Sequence, residues 1–252
     1  MIRAASFALL FLLTNATLVL LFPFEWSRFL LAALFYTAGT LLMLFLLFHP
    51  RNQLLVTNRS QVESSGRRCL ALTFDDGPNA PHTRELLRIL REKEVKATFF
   101  VVGRQAEEHP DLVRRVVAEG HQVGSHTYSH PSLFCFLSPR RLRDEIERGQ
   151  QAVLNACGLA PRFFRSPVGL RHPLLEVYLR RAGLEFISWR VRAFDTRVQE
   201  PEAIVRQITG NAAPGDIVLL HDRPGEAAGR MLQALPAIID ELKNRGFEFV
   251  PL

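Results

Sequence analysis

Two short stretches of this 252-residue chain concentrate groups that can bind a cation and move a proton. The first, Thr73-Phe74-Asp75-Asp76-Gly77-Pro78, follows an apolar run and sets two adjacent carboxylates at a strand end before a Gly-Pro turn. Neighbouring side chains of an extended segment point to opposite sides, so the two acids can serve different tasks. Alone, Asp-Asp-Gly reads more readily as a solvated turn. The second stretch, Ser125-His126-Thr127-Tyr128-Ser129-His130-Pro131, ends a strand-like run over 120–124. Its two histidines are four apart and can share one face of a helical turn. Two imidazoles and one carboxylate make three protein ligands for a divalent ion and leave a position open for water. Histidines at this spacing arise by chance, but with the paired carboxylates upstream a catalytic metal becomes the better reading.

The elements that must position these groups alternate. Strand-like apolar runs fall at 70–74, 97–102, 186–189, 217–220 and 247–250, and helical patterns lie between them. Ser138-Pro139 forms an N-cap and first turn, Leu142, Ile146, Val153 and Leu154 share a face, and Gly158 can end that helix. Similar patterns cover 83–93, 110–119, 173–182, 201–209 and 227–243. Repeated strand-helix units predict an α/β fold with a parallel sheet, open or closed into a barrel, and chemistry at the C-terminal strand ends.

The residues 73–78 and 126–130 resemble the first two motifs of the polysaccharide deacetylase, or NodB-homology, family (carbohydrate esterase family 4). Arg165-Ser166-Pro167-Val168-Gly169 resembles its third motif, 189–195 partly its fourth, and Leu219-Leu220-His221 its fifth. The likeness runs over 68–252 and implies a distorted or incomplete (β/α) barrel. It further implies that Asp76, His126 and His130 hold one divalent metal ion, zinc as a rule and cobalt or another ion as a substitute. Asp75 would be the general base and Arg165 its partner. His221 would protonate the leaving amine, with its pKa raised by Asp195. A backbone N–H near Tyr128 would stabilise the oxyanion, and Tyr128, Pro167, Leu219 and Arg192 would contact substrate, Leu219 lining the acyl pocket. Two positions depart from the family pattern: Val168 stands where an aromatic is usual, and Arg192 where an acid is usual. The metal and base positions are untouched, and the added cation suits a phosphate-bearing substrate.

The first fifty residues belong to a different solvent. Residues 4–22 are almost wholly apolar and 29–48 carry no charge, each long enough to cross a hydrocarbon core of roughly 30 Å. Between them 23–28 offers a proline, two charges and a tryptophan, as a turn at a headgroup layer requires. The expectation is therefore a transmembrane hairpin over 1–48, a polar linker over 49–67 and a catalytic domain over 68–252. A cleaved signal peptide is the alternative for the first segment, and the second would still anchor the chain. Arg51, Arg59, Arg67 and Arg68 follow the second span, which favours a bacterial inner-membrane protein with a cytosolic domain. From residue 67 onward 27 basic residues face 23 acidic ones, an excess that suits anionic lipid and does not demand nucleic acid. Cys69, Cys135 and Cys157 have no metal-type spacing and indicate no disulfide framework.

These readings converge on a membrane-anchored, metal-dependent hydrolase removing N-acetyl groups from amino sugars of a polysaccharide or lipid-linked glycan. An O-acetyl esterase or deformylase using the same site, and a non-catalytic glycan-binding module, are the alternatives.

Overall fold

The central strand is apolar on both faces because both are covered. It spans Cys69–Asp75 (β2), and all seven residues are buried. Period-two alternation turns Leu70, Leu72 and Phe74 toward the helices, whereas Ala71 packs inside with Phe100, Ile187, Ile217 and Leu219. The computed structural model describes residues 26–49, 53–63, 66–197 and 200–252.

Around β2 the sheet is parallel throughout. Its other strands are Asn58–Arg59 (β1), Thr98–Val101 (β3), Gln122–Ser125 (β4), Phe163–Phe164 (β5), Glu185–Ile187 (β6), Val191–Arg192 (β7), Ile217–His221 (β8) and Glu248–Phe249 (β9). The order is β1-β6-β5-β4-β3-β2-β8-β7, with β9 pairing β2 at its start. Strands β6 and β7 stand near opposite ends of this order, yet only residues 188–190 join them, a reach of at most about 14 Å. The sheet must therefore curl until its ends nearly meet. The connection is held to both ends: Ser188 N–H continues the β6–β1 pairing by donating to the Arg59 carbonyl (3.0 Å), and Arg190 N–H continues the β7–β8 pairing by donating to the Ile217 carbonyl (3.0 Å). Because β1 and β7 do not pair, the (β/α) barrel is incomplete, in agreement with expectation.

Seven helices of the domain pack outside the sheet or between strands: Ala80–Glu92 (α2), Gly103–Glu108 (α3), Pro110–Ala118 (α4), Pro139–Cys157 (α5), Leu175–Ala182 (α6), Pro201–Thr209 (α7) and Glu226–Asn244 (α8). Ser138 caps α5 by accepting from Arg141 N–H, and Gly158 ends it at φ 75°, as its sequence foretells. The short α3 and the two-residue strands β5 and β7 are too brief for a periodicity to register.

Ahead of the domain, Trp26–Phe48 (α1) is a single helix whose stretch Phe29–Leu47 is long and apolar enough to span a bilayer, with a mean hydropathy of 2.2. The first predicted span, 4–22, lies outside the described residues, so the hairpin reduces here to one candidate membrane helix. The predicted linker is not a free leash. Asn58–Arg59 forms β1 against β6, Gln61 bridges to Asp216, and Thr57 N–H donates to Glu176 (2.9 Å). Helix α1 itself docks on the domain: Leu47 is buried in a cluster with Phe134, Leu142, Leu170 and Phe186. Three of the arginines that follow the span are engaged by the fold, Arg59 and Arg67 with Glu185 and Glu248, Arg68 over the Phe247 ring, so their presence reflects folding as well as topology.

Candidate active site

Register brings the chemistry together at one barrel end. Asp75 closes β2 directly opposite His221, the last residue of β8, and Thr73 stands opposite Leu219. His126 follows β4, Arg165 follows β5, and both project into the same interior.

Arg165 is fully buried, stacked 4.1 Å over Phe100. Its Nη1 donates to Asp75 Oδ1 (2.7 Å) and Thr73 Oγ1 (2.8 Å), while Nε and Nη2 reach the Ile187 and Ser188 carbonyls (3.3 and 3.2 Å). Burial depresses the Arg165 pKa, and Asp75 opposes that loss. The expected base thus has a fixed partner with every arm of its fork accounted for.

Asp76 leaves the sheet at φ 75°, which carries its carboxylate away from Asp75 toward the histidines. Asp76 Oδ1 lies 3.4 Å from His126 Nε2 and 3.1 Å from His130 Nε2, and the three candidate ligand atoms fall within 4.8 Å of one another. His126 Nδ1 is committed to the Arg165 carbonyl (2.7 Å); a carbonyl only accepts, so Nδ1 carries the hydrogen and Nε2 presents its lone pair to the site. Asp76 Oδ1 is buried with no hydrogen-bond partner among the described residues. A buried, unsatisfied carboxylate oxygen beside two imidazole nitrogens fits a divalent cation. Burial opposes the charge on Asp76, but His126 and His130 outweigh it and hold the carboxyl well below its usual range. Burial likewise opposes protonation of His126, whose pKa Asp75 and Asp76 nonetheless raise.

The histidine pair does not lie on a helical turn, as the spacing suggested. Residues 126–130 form an irregular loop in which Thr127 and His130 adopt φ 65° and 54°, and Thr127 Oγ1 accepts from His130 N–H (3.1 Å). Glu145 of α5, which sequence reasoning missed, fastens this loop by accepting from the N–H groups of Tyr128 (3.0 Å) and Ser129 (2.8 Å) and from Ser129 Oγ (2.6 Å). The expected oxyanion role for an amide near Tyr128 therefore meets an N–H already engaged. Tyr128 itself turns outward, its hydroxyl donating to Glu107 (2.9 Å) and its ring lying under Arg148.

Opposite the Asp76, His126 and His130 cluster, Asp195 grips His221 twice: Oδ1 faces Nδ1 (2.9 Å) and Oδ2 accepts from the backbone N–H (2.8 Å). Burial lowers the His221 pKa, yet the Asp195 hydrogen bond and charge raise it above the ordinary imidazole value. Asp222, also missed, underlies the carboxylate turn: its N–H donates to the Asp75 carbonyl (2.7 Å), and its carboxyl accepts from Thr83 Oγ1 (2.5 Å). Burial pushes this carboxyl up to about 7. The His-Asp dipeptide at the end of β8 was the available signal.

The cleft between these groups has a volume of about 160 Å³ and is lined by Asp75, Asp76, His126, His130, Leu219 and His221, together with Val168, Trp189, Arg192, Thr196 and Arg223. Leu219 and Arg192 both line this cleft. Pro167 is not on the wall; it opens the short Pro167–Gly169 turn that presents Val168, whose N–H has no partner among the described residues. Val168 takes φ 56°, and of the six non-glycine residues with positive φ among those described, five (Asp76, Thr127, His130, Val168 and Phe194) belong to the site motifs. Each such residue costs on the order of 1–3 kcal/mol, so the surrounding fold enforces these conformations.

Comparison with known proteins agrees with the geometry. The family model described as polysaccharide deacetylase matches residues 63–187. A peptidoglycan-N-acetylglucosamine deacetylase of Bacillus cereus is 37% identical over 186 residues, covering 73% of this chain and 66% of that relative, just under two thirds of its length. A chitooligosaccharide deacetylase of Bradyrhizobium sp. is 38% identical over 210 residues, covering 79% of this chain and 95% of its own. The structure of the Bc1960 peptidoglycan N-acetylglucosamine deacetylase, solved in complex with 4-naphthalen-1-yl-N-oxidanyl-benzamide, superposes with a TM-score of 0.72 at 34% identity over 77% of this chain and 90% of that one. Kinship over nearly the whole of a relative, on the same curled parallel sheet, leads to one conclusion: the chain belongs to the polysaccharide deacetylase family.

Proposed function

We propose that the protein is a membrane-anchored, metal-dependent hydrolase that removes N-acetyl groups from amino sugars of a glycan. The observation that carries this reading is the pairing of Asp75 with Arg165 and of His221 with Asp195 in one cleft beside the Asp76, His126 and His130 cluster. Base and acid are each fixed by a buried partner, an arrangement that sugar binding alone does not require.

Asp76, His126 and His130 would hold the cation, zinc being the natural choice for this donor set. When bound, a divalent cation polarises the acyl carbonyl and acidifies a water molecule. Asp75, with Oδ1 retained by Arg165, takes the proton of the attacking water through its other oxygen. The Val168 N–H on the cleft wall is the candidate donor to the developing oxyanion, in place of the Tyr128 amide. His221, protonated and backed by Asp195, delivers its proton to the departing nitrogen. Leu219 and Trp189 leave room for a small acyl group. Arg192 and Arg223 add two cations beside the ligands, which suits a sugar that bears a phosphate or another anion. An ester would use the same groups, but an alkoxide leaves more readily than an amine and leans less on His221.

The experiment is acetate release by the full chain from N-acetylated oligosaccharides, neutral and phosphate-bearing, with zinc, after chelation, and in Asp75→Asn. Loss of about 10²-fold or more in the variant, with zinc still bound, is expected. Undiminished turnover in Asp75→Asn would refute the assignment, and equal rates of the unaltered chain on neutral and phosphate-bearing substrates would refute the anionic preference.

A further inference from the structure

We propose that the loop 131–141 forms a second contact with an anionic bilayer surface, next to the point where α1 enters the domain, and so holds the domain against the membrane. The proposal rests on the reading of α1 as a bilayer anchor.

The apolar run of α1 continues to Leu47, so Leu47 marks the edge of the hydrocarbon layer. Yet Leu47 is buried within the domain, in the cluster that also holds Phe134 and Cys135. The domain surface around this cluster therefore lies at headgroup depth. The route from the anchor to the loop is short. Arg171 N–H donates to the Leu47 carbonyl (3.1 Å) and Arg171 Nη1 to that of His49 (2.7 Å), while the adjacent His172 reaches the Leu137 carbonyl through Nε2 (3.0 Å).

What the loop presents there is unusual for an aqueous surface. Phe134 and Cys135 point inward, but Leu133 and Phe136, on either side, are 67% and 66% exposed. Apart from α1 itself, the exposed large apolar residues among those described are Leu54, Leu133, Phe136, Leu159, Val168 and Phe194. Val168 and Phe194 belong to the cleft and its rim, and Leu54 lies just beyond α1 in sequence. Among the described residues only Leu159 stands apart, at the far end of α5, about 30 Å from the loop by helix length. Directly after Phe136, the first turn of α5 adds Arg140 and Arg141, both exposed and neither in an ion pair among the described residues. An aromatic and a leucine flanked by free guanidinium groups match a layer of anionic headgroups over acyl chains.

The test uses the full chain, with Trp26→Phe to reduce background, reconstituted in vesicles of phosphatidylcholine with or without phosphatidylglycerol. Tryptophan is placed at the exposed sites as Phe136→Trp or Leu159→Trp, and lipids brominated near the headgroup act as quenchers. Quenching at position 136 and not at 159, stronger with phosphatidylglycerol and weakened by Arg140→Gln with Arg141→Gln, is the expected result. Absence of quenching at 136 in protein that floats with the vesicles after a carbonate wash would overturn the second contact and leave the anchor standing. Protein that is stripped by carbonate would overturn the anchor and the contact together.

Discussion

The carbonyl of Arg165 accepts from His126 Nδ1 at 2.7 Å, and the guanidinium of the same residue holds Asp75 at 2.7 Å. Asp75 and His126 are thereby both referenced to one residue, the first through its side chain and the second through its backbone. Arg165→Met keeps the volume but leaves the Asp75 carboxylate buried without its counter-charge, a loss worth about 3–5 kcal/mol. Denaturant unfolding of the full chain in detergent should show a midpoint lowered accordingly. Arg165→Lys should recover only part, because a point charge cannot reproduce the fork that also reaches Thr73, Ile187 and Ser188. Wild-type stability in the Met variant would contradict this account.

Asp195→Asn preserves the shape of the His221 contact and removes its charge. Burial, which lowers the His221 pKa, is then left with less to oppose it, so the imidazole loses its proton at lower pH. If His221 is the acid, activity on the basic side follows its protonated fraction. The basic limb of the kcat/KM profile should therefore move toward acid in the variant. An unmoved limb would assign the proton donor elsewhere.

Gly149, in the middle of α5, is predicted to reject alanine although alanine favours helices by about 1 kcal/mol. An added Cβ would meet the backbone carbon and oxygen of Thr127 at 2.7 and 2.8 Å, and neither can rotate away. The displaced segment is the one that carries His126 and His130. Gly149→Ala should thus weaken zinc binding, measured by competition with a chromophoric chelator, more than it lowers the unfolding midpoint. Unchanged zinc affinity would mean that the loop yields without moving its histidines.

How far the site could be read from sequence depended on how local its determinants were. Asp75, Asp76, His126 and His130 sit in compact motifs whose residue types and spacing suggest a cation site, whereas His221 was legible only through its resemblance to the family's fifth motif. Leu219 followed from the same resemblance, since strand alternation puts it on the face of His221 two positions on. Glu145 was not, since an acid on an amphipathic helix looks solvated until a loop folds over it. The misjudged Tyr128 amide has the same cause: its fate was decided by that distant carboxylate. A two-residue strand such as Phe163–Phe164 gives no period to detect, though it carries Arg165 into the barrel. The linker was misread because Asn58–Arg59 is polar, and its place in the sheet comes from pairing with β6, not from its own pattern.

Arg171 joins two parts of the molecule that composition treats as unrelated. Its backbone and guanidinium take hold of the last carbonyls of the apolar helix, and the same side chain touches the carbonyl of Gly169, next to Val168 on the cleft wall. The helix is thus also a buttress for the wall of the catalytic cleft. A domain trimmed of this helix would keep Asp75, Asp76, His126 and His130 but lose the brace behind one side of the groove. Rates measured on such a fragment would describe a looser cleft than that of the full chain.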